Sequence, residues 1–173
     1  MIKEIRVFRQ PPHPDRSYAH QHPYLVLLGF CALCLAVGIS DSVMTIPNIH
    51  SWYDLLPHPP GTPPNGVFGP VWTVLYVAMA VAAWRVWQRP SHAAALRLWG
   101  WQLGVNALWS PVFFALHRPG LATLVILAMD ALVALTIRAF ARHDRWAALT
   151  LMPYLAWGLF ATYLTAGFWW LNQ

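Results

Sequence analysis

Five long apolar stretches dominate the sequence, at about 24–46, 68–87, 94–116, 121–140 and 147–171. Each reaches the roughly 20 mainly apolar residues that a helix needs to cross the hydrocarbon core of a bilayer. The connections are short, and only 10% of the 173 residues are charged while 58% are hydrophobic. A water-soluble domain of this size needs far more charge to cover its surface, so the pattern points to lipid as the solvent. In lipid every backbone N–H and C=O must find a partner within the protein, and a single apolar run achieves this as a helix. The expected fold is an all-α membrane bundle of five transmembrane helices over 23–173. Residues 1–22 read as a flexible cytoplasmic tail, with Pro11, Pro12 and Pro14 breaking any helix begun at Ile2.

The chain has 11 Lys and Arg against 6 Asp and Glu, a balance that in a soluble protein suggests nucleic acid or anionic lipid. Here the distribution explains the excess. If successive helices alternate in direction, Lys3, Arg6, Arg9, Arg16, Arg85, Arg89, Arg97, Arg138, Arg142 and Arg145 fall on one side. Arg118 alone falls on the other. The positive-inside rule then puts the N-terminus in the cytoplasm, and the first long loop and the C-terminus outside. No nucleic-acid partner is expected, whereas membrane lipid is. Ala36-Val37-Gly38 loosely resembles a signal-peptide cleavage site, but the apolar run continues to Ile46, too long for a signal core. Cys31 and Cys34 lie one turn apart in the first span; with no His following, they read as small apolar side chains rather than a haem-attachment motif.

Helix one is expected to end near Pro47, and helix two to open with Gly69-Pro70, because a first-turn proline lacks an N–H that would be unpaired anyway. Between them His58 to Pro64 reads His-Pro-Pro-Gly-Thr-Pro-Pro, a stiff segment in a loop long enough to act as a lid. Pro111 in helix three and Pro153 in helix five should bend their helices.

Of the 11 tryptophans, Trp52, Trp84, Trp87, Trp99, Trp146, Trp169 and Trp170 lie near expected helix ends and fit an interfacial belt. Trp109 and Trp157 lie deeper. Trp72, Leu75, Tyr76 and Met79 share one face of helix two, and Trp157, Phe160, Ala161 and Leu164 one face of helix five. On helix three Gln102, Asn106, Trp109 and Phe113 form a stripe whose amides should face protein rather than lipid tails. Such faces are either simple packing or the walls of a pocket for a flat, apolar ligand.

Further motifs resolve the pattern into a resemblance. Trp52-Tyr53, Leu56, Pro59, Pro63-Pro64 and the run from Phe68 to Tyr76 with Met79 resemble the loop and second helix of the TspO/translocator family. Gln102-Leu103, Asn106, Trp109-Ser110 and Phe113-Phe114 resemble its third helix. Pro153-Tyr154-Leu155, Trp157, Phe160 to Leu164 and Leu171-Asn172 resemble its fifth. The resemblance implies a bacterial-type, often dimeric membrane protein that binds porphyrins such as protoporphyrin, and also sterols, in a pocket open toward the first loop. Haem is a related candidate ligand. No cofactor is implied; porphyrin enters as ligand. Carried over residue by residue, the pocket falls on Tyr53, Trp72, Tyr76, Asn106, Trp109, Trp157 and Ala161.

The implied role is that of a receptor or sensor linked to tetrapyrrole traffic. The alternatives are a porphyrin transporter, or an enzyme that degrades porphyrin with light and oxygen through Trp109 and Trp157. The inner membrane of a bacterial cell is the favoured location over the outer. The sequence departs from the family pattern at His58, Gly61, Ala80, Leu121 and Thr165. Asp130 stands mid-span in helix four, where an ionised carboxylate costs roughly 2.5–3.5 kcal/mol on insertion scales. It reads either as a structural hydrogen-bond partner or as a functional proton or ligand contact. Gly100 and Gly104 form a GxxxG on helix three that permits a homodimer.

Overall fold

Every long apolar stretch forms a helix. The computed structural model describes residues 22–173, so the tail expected over 1–22 lies, apart from His22, outside the described residues. The helices are α1 (Pro23–Ile49), α2 (Asn65–Trp87), α3 (Ala93–Ser110), α4 (Pro119–Ala141), α5 (Arg145–Thr150) and α6 (Met152–Leu171). A 3-10 turn, Tyr53–Leu55, lies in the first loop, and a π-helical segment, Pro111–Ala115, prolongs α3. Helices α5 and α6 follow one another across Leu151 as one rod, so the molecule is the expected five-rod helical bundle. No strand occurs among the described residues. Four rods are long and apolar enough to cross a membrane by length and composition. The exception, α3, carries Arg97, Gln102 and Asn106 and turns both amides into the protein.

The prolines act somewhat differently from their sequence reading. Pro47 lies inside α1, which continues to Ile49. Helix α2 starts at Asn65, about a turn before Gly69-Pro70, so Pro70 is also internal and removes only the bond to the Gly66 carbonyl. Pro111 widens rather than ends its helix. With no N–H at that position the ladder shifts register, and Leu116 N–H donates to the Pro111 carbonyl at 2.9 Å, an i to i+5 bond. Pro153 sits at the start of α6, just past the break at Leu151, as a bend-inducing proline should.

Small residues set the helix spacing. Ala80, Ala82 and Ala83 of α2 are fully buried, which brings the backbones close where lipid gives no hydrophobic drive for helix association. Phe140, Met129 and Tyr154 fill the gaps between α4 and its neighbours. Helix α1 is peripheral, burying only Cys34, while Cys31 is half-buried; both thiols are free. Exposed leucines such as Leu28, Leu124, Leu135 and Leu159 form the lipid-facing surface. Trp146, Trp169 and Trp170 are exposed, in keeping with a belt. Trp99 is not a belt residue: it is buried, its ring meeting Phe30 edge-on at 5.3 Å, because its face of α3 turns toward α1.

One end of the bundle is tied by charge. Asp144 caps α5, accepting from the backbone N–H of Trp146 at 2.8 Å and of Ala147 at 3.1 Å. Arg85 and Arg89 from the end of α2 donate to the same carboxylate at 2.9 and 2.8 Å. Burial of Asp144 by itself raises its pKa. The bonds from Arg89, Ala147, Arg85 and Trp146 outweigh that and hold it at about 2, below the ordinary 3.8. A depressed carboxylate stabilises the fold fully above its unfolded pKa and loses that contribution as pH falls toward 2. We expect Asp144→Asn to cost about 1–3 kcal/mol at neutral pH. Thermal melting in detergent should show this deficit shrinking steadily below pH 4.

Candidate functional site

A cavity of about 400 Å³ lies between α1, α2, α3, α4 and α6, at the end of the bundle covered by the first loop. Its walls are mostly aromatic and aliphatic. Six of the seven residues expected at the site line it: Tyr53, Trp72, Tyr76, Asn106, Trp109 and Ala161. Trp157 does not. Its ring packs on Phe68 at 6.0 Å and Phe160 at 5.5 Å, half-buried beside the cavity rather than in its wall. The helix-five stripe does face inward, but Ala161, Leu164, Thr165 and Phe168 form the surface that α6 presents to the cavity.

Each wall residue is held by a neighbour. The Trp109 ring stacks on Phe113 at 5.3 Å and 19°, an i, i+4 pair at the entry to the π-helical segment that also carries Phe114. Trp72 lies against Tyr76 at 5.9 Å and Tyr154 at 6.2 Å. Helix α1 supplies Gly38, Asp41, Ser42 and Thr45, a polar face that aromatic spacing does not reveal. The signal was present, since these positions recur at helical spacing inside an otherwise apolar run. Gly38 is needed for this arrangement: a Cβ there would come within 2.8 Å of the Tyr76 ring.

The inner end is polar and highly connected. Asn106 Nδ2 donates to Tyr154 Oη at 3.1 Å, and Tyr154 Oη donates to Gln102 Oε1 at 3.0 Å. Gln102 Nε2 and Asn106 Nδ2 also point at the sulfurs of Met79 and Met129. On the cavity side, Tyr76 Oη lies 2.7 Å from both Asn106 Oδ1 and Asp41 Oδ2.

The opposite end is roofed by the loop. Tyr53 is buried against Phe168 at 5.0 Å and Phe114 at 5.7 Å. Burial, with the charge of Asp54 adding to it, pushes its phenol up to about 12, so Tyr53 stays neutral. His58 Nδ1 donates to the Leu56 carbonyl at 2.6 Å and sets its ring edge-on to Tyr53 and Phe168. The roof is pinned to α6 by Tyr163 Oη donating to Pro60 O at 3.0 Å and Asn172 Nδ2 to Pro57 O at 3.3 Å. Pro59 rests over Gly167, where a Cβ would collide with its ring.

These features define an integral membrane protein of helical-bundle type with an aromatic cavity beneath a proline-stiffened loop. The TspO/MBR family model matches residues 30–171, nearly the whole described chain, and the protein belongs to that family. It is 36% identical over 150 residues to the tryptophan-rich protein TspO of Archaeoglobus fulgidus, covering 86% of this chain and 97% of that one. It is 39% identical over 139 residues to the tryptophan-rich sensory protein of Cereibacter sphaeroides, covering 80% and 86%. The translocator protein of Bos taurus is 31% identical over 156 residues, covering 87% and 92%.

Asp130 lies outside the cavity wall. Its Oδ2 accepts from Thr162 Oγ1 at 2.7 Å, and the carboxyl packs over Gly158, where any side chain would strike it. The geometry is that of a hydrogen bond joining α4 to α6. Asp130→Asn should keep that bond and melt close to wild type. Asp130→Leu removes the acceptor and brings a branched group against the α6 backbone, which should cost about 1–3 kcal/mol. Melting of both variants in detergent checks the contrast, and equal stability would contradict the structural role.

Proposed function

We propose that the protein is a receptor-like membrane protein that binds a porphyrin, protoporphyrin above all, or another flat apolar ligand in the cavity beneath the first loop. The observation that carries this reading is the cavity itself: aromatic walls from α2 and α3, a polar inner end and a loop that roofs the other. Aromatic faces stack on a flat ring, and a few fixed polar groups orient it. Haem and sterols are the next ligands in this reading, and a role in tetrapyrrole regulation or traffic follows from the family. A second reading, light- and oxygen-dependent porphyrin breakdown, draws on Trp109, which stands in the wall beside any bound ring, and on Trp157 behind it. Transport of porphyrin is the third.

The location proposed is the inner membrane of a bacterial cell, with the N-terminus in the cytoplasm. Arg85, Arg89 and Arg145 gather around Asp144 and the start of α5 at one end, and the loop and C-terminus meet at the other, which supports this orientation. The proposed homodimer forms through α3, where Gly100 and Gly104 are exposed and a Cβ at either would meet open space.

Titration of purified protein with protoporphyrin, haem and a sterol, followed by tryptophan quenching, tests the ligand. Trp109→Ala should weaken protoporphyrin by roughly five- to hundredfold, the value of losing an aromatic stacking partner. Trp170→Ala should stay within about twofold, because its ring is exposed on the last turn, away from the cavity wall. Equal, small effects in folded variants would overturn the reading. Bleaching of bound porphyrin only under light and oxygen would favour the enzyme, and net flux into sealed vesicles the transporter. For orientation, a tag at Met1 should be protected from external protease in intact spheroplasts while one at Gln173 is cleaved.

A further inference from the structure

The cavity lining has a marked charge asymmetry. Among its residues there is no Lys, Arg or His, and the single acidic side chain is Asp41. Asp41 lies about two turns from the loop end of α1, level with Tyr76 and Asn106 at the inner end of the cavity. Its Oδ2 is bonded to Tyr76, whereas its Oδ1 is closed to solvent and has no hydrogen-bond partner. A buried carboxylate oxygen without a partner is costly, and so is a buried carboxylate without a countercharge.

The hydrogen bonds around Tyr76 show what would relieve this. A phenol has one proton, yet Tyr76 Oη sits 2.7 Å from two acceptor oxygens. Asn106 is fixed by donating to Tyr154 and Met129, so its Oδ1 must accept from Tyr76 or go unpaired. Both contacts are satisfied when Asp41 carries a proton and donates it to Tyr76, which then donates to Asn106. With Asp41 ionised, Tyr76 can serve only one of the two acceptors, and a ligand that brings a donor supplies the partner the carboxylate lacks. That bond is charge-assisted, the stronger kind.

We propose that Asp41 is a specificity-determining residue, making the inner end of the cavity selective for a flat apolar ligand that presents a hydrogen-bond-donating, cationic nitrogen group. This rests on the cavity being the ligand site. It assigns the inner end to amine-like groups and leaves carboxylate substituents of a ligand at the roofed end, where Asn65 and Tyr53 line the wall.

The test uses two probes with one ring system: protoporphyrin dimethyl ester, and protoporphyrin with one propionate converted to an amide ending in a primary amine. Each is titrated by tryptophan quenching into the full chain in nanodiscs. Wild type should bind the amine probe at least about tenfold more tightly than the ester, in line with the gain from a hydrogen bond to a charged group. Asp41→Asn should bring the two affinities within about twofold of each other, with the amine probe losing more than the ester. A wild-type preference below twofold overturns the proposal, whether or not the variant folds. So does a preference that persists in folded Asp41→Asn. Failure of wild type to bind either probe saturably would instead overturn the ligand reading of the cavity, and this inference with it.

Discussion

Asn106 is the side chain on which the arrangement of the bundle depends. It is buried, and a buried amide in a membrane protein is tolerated only where its hydrogen bonds are made within the protein. Its partners come from three different helices: Tyr76 on α2, Met129 on α4 and Tyr154 on α6. Tyr76 in turn reaches Asp41 on α1. One amide on α3 thus fixes the rotation of every other long helix about its own axis. Apolar packing alone could not do so, since lipid tails compete with leucine for leucine on nearly equal terms. Polar contacts have few alternatives in that setting, and they specify the register that small residues such as Ala82 and Ala83 then make tight.

The cavity is a consequence of the same network. Tyr76 points toward α1, and Gly38 admits its ring, while Phe30, Cys31, Leu35 and Val37 pack α1 against the core. Helix α1 buries only Cys34 although it is the longest single helix among those described. Space remains between α1 and the rest toward the loop, and the aromatic residues of α2, α3 and α6 border it. The π-helical segment completes the wall. Trp109 and Phe113, at i and i+4, share a face of the helix, and Phe114 and Phe168 extend it.

Much of this was legible in the sequence, and the limits are instructive. Helix existence followed from run length, and the inward faces of α2 and α3 from periodicity, because amides and aromatics at helical spacing are conspicuous in an apolar background. The contribution of α1 was not seen. Asp41, Ser42 and Thr45 are spaced as one face, but with Gly38 they form a face of small and polar residues, which carries no aromatic signal. Trp99 was misassigned because distance from a helix end does not say which way a ring points. Trp157 shows the matching limit of periodicity: it shares the inward stripe of α6, yet a stripe spans a wide arc and only its far edge borders the cavity. The start of α2 slipped by a turn, because the helix opens at Asn65 after Pro64 and the internal Pro70 costs it only one backbone bond.

The two ends of the bundle are fastened by different kinds of interaction, and this decides where it can open. At the Asp144 end a buried carboxylate takes two arginines and two backbone N–H groups, so separating α2 from α5 would strand several charged donors and acceptors at once. At the loop end the roof is held to α6 by the packing of Tyr53 and His58 on Phe168, by two single hydrogen bonds, one at 3.3 Å, and by the contact of Pro59 over Gly167. Those bonds end on backbone carbonyls at an exposed rim, where water replaces them at little cost. The prolines of the loop limit its own flexing, so an opening there would turn it as a stiff flap about its junctions rather than unravel it. A molecule built this way keeps the polar inner end of its cavity in fixed register and leaves the loop end as the place where the bundle parts most readily.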